Sequence, residues 1–143
     1  HQLLVEKKTP ESILNHHPEC ESDLNYPAHH TYIQQIADLK LPQIWTNVGS
    51  SVLLVYGASD FVTTAKEHLY IAQTVNEGRP GAAEYLELPG MDHYFMQAAT
   101  IKDSYQRVVE GRPGDFHASI LLPIENWLNL KSKISAWGLA KRD

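Results

Sequence analysis

Val52-Leu53-Leu54-Val55-Tyr56-Gly57-Ala58-Ser59-Asp60 is a short apolar run that ends in a glycine turn and a carboxylate. Apolar and polar residues do not alternate in it, which is the pattern of a strand covered on both faces, as in a parallel sheet. A second segment of this kind is Tyr85-Leu86-Glu87-Leu88-Pro89-Gly90-Met91-Asp92-His93. Ala83 to Leu88 reads as its strand, Pro89-Gly90 breaks it, and the turn ends in an imidazole. Between the two, the spacing predicts a helix over 64–76. Ala65, Leu69, Ala72 and Val75 share one face, Thr63 or Thr64 caps the start, and Glu67 lies in the first turn. Buried strand, helix and buried strand in that order predict a crossover unit in a parallel sheet, and so an α/β fold class.

Outward from this unit the chain is less regular. Residues 1–27 are punctuated by Pro10, Pro18 and Pro27, each of which disfavours helix at the residue before it. A short helix is expected from Pro10 to Asn15. A helix over 28–39 would present Tyr32, Ile33, Ile36 and Leu39 as one apolar stripe. Leu41-Pro42 ends it, and Ile44-Trp45 opens a further short turn before Gly49. Downstream, helices are expected over 96–109 and from Ala118 to Lys131 or beyond. The last would turn Ile120, Leu121, Ile124, Trp127 and Leu128 inward, with Pro123 in its first turn or at a kink. Trp45, Trp127 and Trp137 read as packing residues. Glu-Gly-Arg-Pro-Gly occurs at 77–81 and again at 110–114. It reads as two similar turns, since glycine and proline dominate turns for steric reasons. Two strands alone make a poor sheet, and the opening His1 to Val5 does not look like a natural start, so a truncated or processed product is expected.

The composition is that of a globular chain: 143 residues, 43% hydrophobic and 20% charged. That length is enough for one domain and one core. The formal net charge is −5, with no basic cluster beyond Lys7-Lys8 and Lys141-Arg142, which argues against a nucleic-acid partner. The longest apolar runs are too short to span a membrane. Cys20 is the single cysteine and excludes an internal disulfide framework. That is compatible with a reducing compartment; the location stays open, with the cytoplasm slightly favoured.

Asp60 and His93 carry the chemistry. Ligands of open parallel sheets bind at the carboxyl ends of the strands, and adjacent parallel strands lie about 5 Å apart. The crossover unit therefore brings the two tips together. A carboxylate there can hold an imidazole in one tautomer and stabilise its protonated form. Alone, Asp60 reads as a helix cap and His93 as a structural histidine; paired, they read as an acid and a general base. Asp92 adjoins His93 but its side chain diverges from it, so it reads as a turn-forming residue. His16, His17, Cys20, Glu21, His29 and His30 form a separate cluster. Its adjacent histidine pairs do not match a familiar zinc spacing, and it reads as a solvated polar segment rather than a metal site.

Leu53 to Val62, followed by Leu88-Pro89-Gly90-Met91-Asp92-His93, resembles the C-terminal part of an α/β-hydrolase. The resemblance covers about residues 28–130, the last two strands with their flanking helices. It implies a partial α/β-hydrolase fold, with 1–27 as the end of a cap or lid segment and 28–143 as the C-terminal portion of the hydrolase domain. It also implies that Asp60 is the triad acid and His93 the general base, with Phe61, Val62 and Tyr94 near the substrate pocket. In that family the chain order is nucleophile, acid, histidine. The departure is large, because no Gly-x-Ser-x-Gly elbow and no oxyanion-hole loop occur in these residues. Ser59 sits in Gly57-Ala58-Ser59-Asp60-Phe61, where Phe61 fills the position of the second glycine, so it reads as lining the turn.

The resemblance thus implies a serine hydrolase acting on an ester, thioester, amide or peptide carbonyl of a small substrate, with no cofactor. This chain would supply acid and base, and alone it would be inactive. The competing expectation is a non-catalytic module that binds a partner through an exposed strand edge, either the missing N-terminal half or a second copy.

Overall fold

The computed structural model describes the backbone of residues 1–139 and the side chains of residues 1–132. The chain divides into two compact units, His1–Ile44 and Trp45–Asp143.

The first unit holds α1 (Pro10–Leu14), α2 (Glu21–Leu24), α3 (His30–Ala37) and the start of α4 (Leu41–Thr46). α1 starts where the prolines predict: Thr9 caps it by accepting from the Ser12 N–H, and Pro10 supplies a φ suited to the first turn. The imidazole of His29 caps α3. The expected apolar stripe on this helix is not its inner face. Tyr32, Ile36 and Leu39 are exposed, and Gln34 is buried instead. The reason lies in the irregular segment before α1, whose carbonyls need donors. The Gln34 amide donates to the carbonyls of Leu3 (2.9 Å) and Lys8 (3.1 Å).

The second unit holds β1 (Val52–Gly57), α5 (Ala65–Gly78), β2 (Ala83–Leu88), α6 (Ile101–Val109), a 3-10 turn at Ala118–Ile120, and α7 (Leu121–Leu139). β1 and β2 pair in parallel, from Val52 opposite Ala83 to Gly57 opposite Leu88. The fold is mixed α/β with a parallel pair of strands. On one face of the pair, Leu54 and Ala83 pack with Ala72 and Val75 of α5, ringed by Trp45, Val52, Ile71 and Tyr85. On the other, Leu88, Met91 and Ile120 form a second cluster with Val55, Leu86 and Ile124. Helices therefore cover both faces, as the lack of alternation in β1 predicts. Full burial of a side chain such as Val75 contributes about 1.5–3 kcal/mol.

Several helix phases and bounds differ from expectation. On α5, Leu69 is exposed. His68 and Ile71 turn toward the sheet instead, the imidazole lying 5.1 Å from the Tyr56 ring. α6 begins at Ile101 rather than 96, because the preceding residues are held extended by bridges from Met91 to Gln97 and from Met96 to Phe116. Thr100 then caps α6. Ile120 of the 3-10 turn and Ile124 of α7 face the core, while Leu121 and Leu128 are exposed. Pro123 falls in the first turn of α7, where a missing N–H leaves no bond unmade. Trp127 is half-buried and donates to Glu84 (3.2 Å); the side chain of Trp137 lies outside the described residues. The two Glu-Gly-Arg-Pro-Gly copies are different turns. Gly81 is left-handed in the first (φ +76°), whereas Gly111 is in the second (φ +62°).

Candidate acid–base site

The tips of β1 and β2 meet through backbone before any side chain is involved. The Ala58 N–H donates to the Leu88 carbonyl (3.0 Å), and the Ser59 N–H donates to the Met91 carbonyl (2.9 Å). Gly57 permits this approach. A Cβ there would lie 2.3 Å from the Met91 carbonyl oxygen, closer than any side chain tolerates.

Asp60 sits in this turn, 5% exposed. One carboxylate oxygen accepts from the N–H groups of Val62 (2.6 Å) and Thr63 (2.9 Å). The other accepts from the Thr63 hydroxyl (2.6 Å) and from His93 Nδ1 (3.0 Å). Asp60 is not the helix cap: Thr64 caps α5, with Glu67 returning the bond in a capping box. Burial alone would raise the Asp60 carboxyl. Bonds from the Thr63 hydroxyl and N–H, from His93 and from Val62 outweigh it and hold the group below its ordinary value.

An ionised carboxylate only accepts. The proton of neutral His93 therefore lies on Nδ1, which leaves the Nε2 lone pair free. The His93 side chain is 38% exposed, so part of the imidazole is open to solvent. Tyr94 stands edge-on to it at 5.4 Å. Phe61 lies 6.4 Å from Tyr94 and 5.6 Å from Tyr105. The structure thus gathers Asp60, His93, Phe61 and Tyr94. Val62 gives its N–H to Asp60 and leaves its side chain exposed.

Ser59 is buried, and its hydroxyl donates to the Ala98 carbonyl (2.8 Å), a role in the turn. Asp92 is a turn residue too, and more than that. Its carboxylate accepts from the N–H groups of Tyr94 and Met96, the Ser104 hydroxyl and the Arg107 guanidinium. Burial pushes its carboxyl up, but these four donors hold it below the ordinary range. Tyr105, Ser104 and Arg107 were not marked by the sequence. The pattern Thr100-x-x-Asp103, with a threonine cap and an acid three residues on, is the signal that locates their helix.

Among the described residues, no three His, Cys, Asp or Glu side chains stand together as a metal site. Nor is any described helix long and apolar enough to cross a membrane. Comparison with protein-family models, with curated proteins and with solved structures yields no significant match.

Proposed function

We propose that Asp60 and His93 are the acid and general base of an α/β-hydrolase-type serine hydrolase acting on an ester, thioester, amide or peptide carbonyl. The observation that supports this reading is the 3.0 Å bond from His93 Nδ1 to a buried carboxylate held below its ordinary pKa. That arrangement orients the imidazole and stabilises it once protonated. His93 Nε2 would take the proton of a serine hydroxyl as the serine attacks the carbonyl, then return it to the leaving group. No Gly-x-Ser-x-Gly elbow occurs in residues 1–143 and Ser59 is buried and bonded, so the reading requires a serine supplied by further polypeptide. Phe61, Tyr94 and Tyr105 would offer the substrate an aromatic wall beside the base. The test is labelling by a fluorophosphonate of a longer polypeptide carrying these residues. The reading expects one labelled serine in a Gly-x-Ser-x-Gly elbow, with labelling lost in His93→Ala. Equal labelling of that variant would overturn it.

A further inference from the structure

The loop that carries His93 is tied to α6 by one carboxylate. Asp92 Oδ1 accepts from the N–H groups of Tyr94 and Met96, both at 2.9 Å, so His93 lies within a loop closed on Asp92 itself. The Phe95 N–H adds a bond to the Asp92 carbonyl (3.1 Å). Asp92 Oδ2 faces α6 and accepts from the Ser104 hydroxyl (2.9 Å) and Arg107 Nη2. Asp92 and Ser104 are 1% and 0% exposed, so water does not compete for these bonds.

Two features mark this anchor as costly. Phe95 holds φ at +60°, a left-handed conformation that non-glycine residues adopt only when their surroundings impose it. Arg107 Nε is buried with no hydrogen-bond partner among the described residues, and an unmade bond of that kind destabilises. α6 also reaches the acid side of the site. Tyr105 packs edge-on against Phe61, the residue after Asp60, at 5.6 Å. One helix therefore touches the residue before His93 and the residue after Asp60.

We infer that Arg107 and Asp92 are positioning residues: their buried ion pair fixes the His93 loop so that Nδ1 stays on Asp60. The functional meaning of this inference rests on the acid–base reading of Asp60 and His93, but its test reads the hydrogen bond itself. Nitrogen-15 NMR of the 143-residue chain, well below its unfolding temperature, reports the His93 tautomer and the solvent exchange of its Nδ1 proton; His93→Gln assigns the signals. Wild type is expected to show the Nδ1–H tautomer with a slowly exchanging proton. Arg107→Met should speed that exchange at least tenfold and mix the tautomers, and Arg107→Lys should recover part of the loss. A role confined to overall stability would lower the unfolding temperature without moving the tautomer ratio.

Wild-type tautomer and exchange in folded Arg107→Met would overturn the positioning role while leaving the acid–base reading standing. A wild-type chain with its proton on Nε2 would overturn both. If Arg107→Met does not fold, Arg107→Gln carries the test. It removes the ion pair but keeps a side-chain amide able to donate to Asp92, so several-fold faster exchange is expected and wild-type exchange contradicts the inference.

Discussion

Gly57 and Met91 approach so closely that the last residue of β1 has no room for a Cβ against the Met91 carbonyl. This contact sets the distance between the two tips, and so between Asp60 and His93. Gly57→Ala must push the His93 loop away or strain the strand. The expected cost is about 3 kcal/mol, read as a lower urea midpoint, together with weaker protection of the His93 Nδ1 proton. An unchanged midpoint would show that the tips do not meet in this way.

Asp92 and Arg107 form a buried charge pair, and removing either partner leaves the other charge uncompensated. Arg107→Met and Asp92→Asn should each cost about 3–5 kcal/mol, with the double variant losing much less than the two losses combined. A double-mutant cycle by chemical denaturation measures this. Additive losses would mean that the two residues act independently.

The acid limb of stability follows from the same carboxylates. Asp60 and Asp92 both have folded values below the ordinary 3.8. As pH falls, the unfolded chain takes up these protons first. The stability that the ionised groups contribute is therefore complete above about pH 5 and lost as pH falls through the ordinary carboxylate value toward the folded one. Urea midpoints should fall steeply below about pH 4, and Asp92→Asn should show a shallower fall from a lower starting point. An equally steep fall in that variant would remove Asp92 from the acid response.

Ser59 lies next to Asp60 in sequence, yet its hydroxyl is spent on the Ala98 carbonyl. Ser59→Ala should lower stability by about 1 kcal/mol and leave fluorophosphonate labelling of a longer polypeptide carrying these residues unchanged. Loss of labelling would make Ser59 the nucleophile.

The two strands, the helix between them and the pairing of Asp60 with His93 were legible because each leaves a local mark. An unbroken apolar run, a proline–glycine break and a threonine with glutamate three residues on can all be read in short windows. The anchor beneath His93 leaves no such mark. Arg107 looks like any surface arginine on an amphipathic helix; only the three-dimensional approach of α6 to Asp92 buries it. Helix phase failed where a polar partner outweighed an apolar stripe. Gln34 turned inward because the carbonyls of Leu3 and Lys8 needed a donor. Leu69 turned outward as His68 took the place over Tyr56. The start of α6 was misplaced because Met96 and Gln97 are bound into bridges, a non-local demand on residues with good helix spacing.

Asp60 and His93 are proposed to perform proton chemistry together, and this is read from the rate at which a longer polypeptide, carrying these residues and an upstream elbow serine, hydrolyses an activated p-nitrophenyl ester. His93→Ala is predicted to lower that rate by roughly 10³-fold or more, and Asp60→Asn to depress it strongly with the fold intact by circular dichroism. Wild-type rates in both variants would contradict the claim.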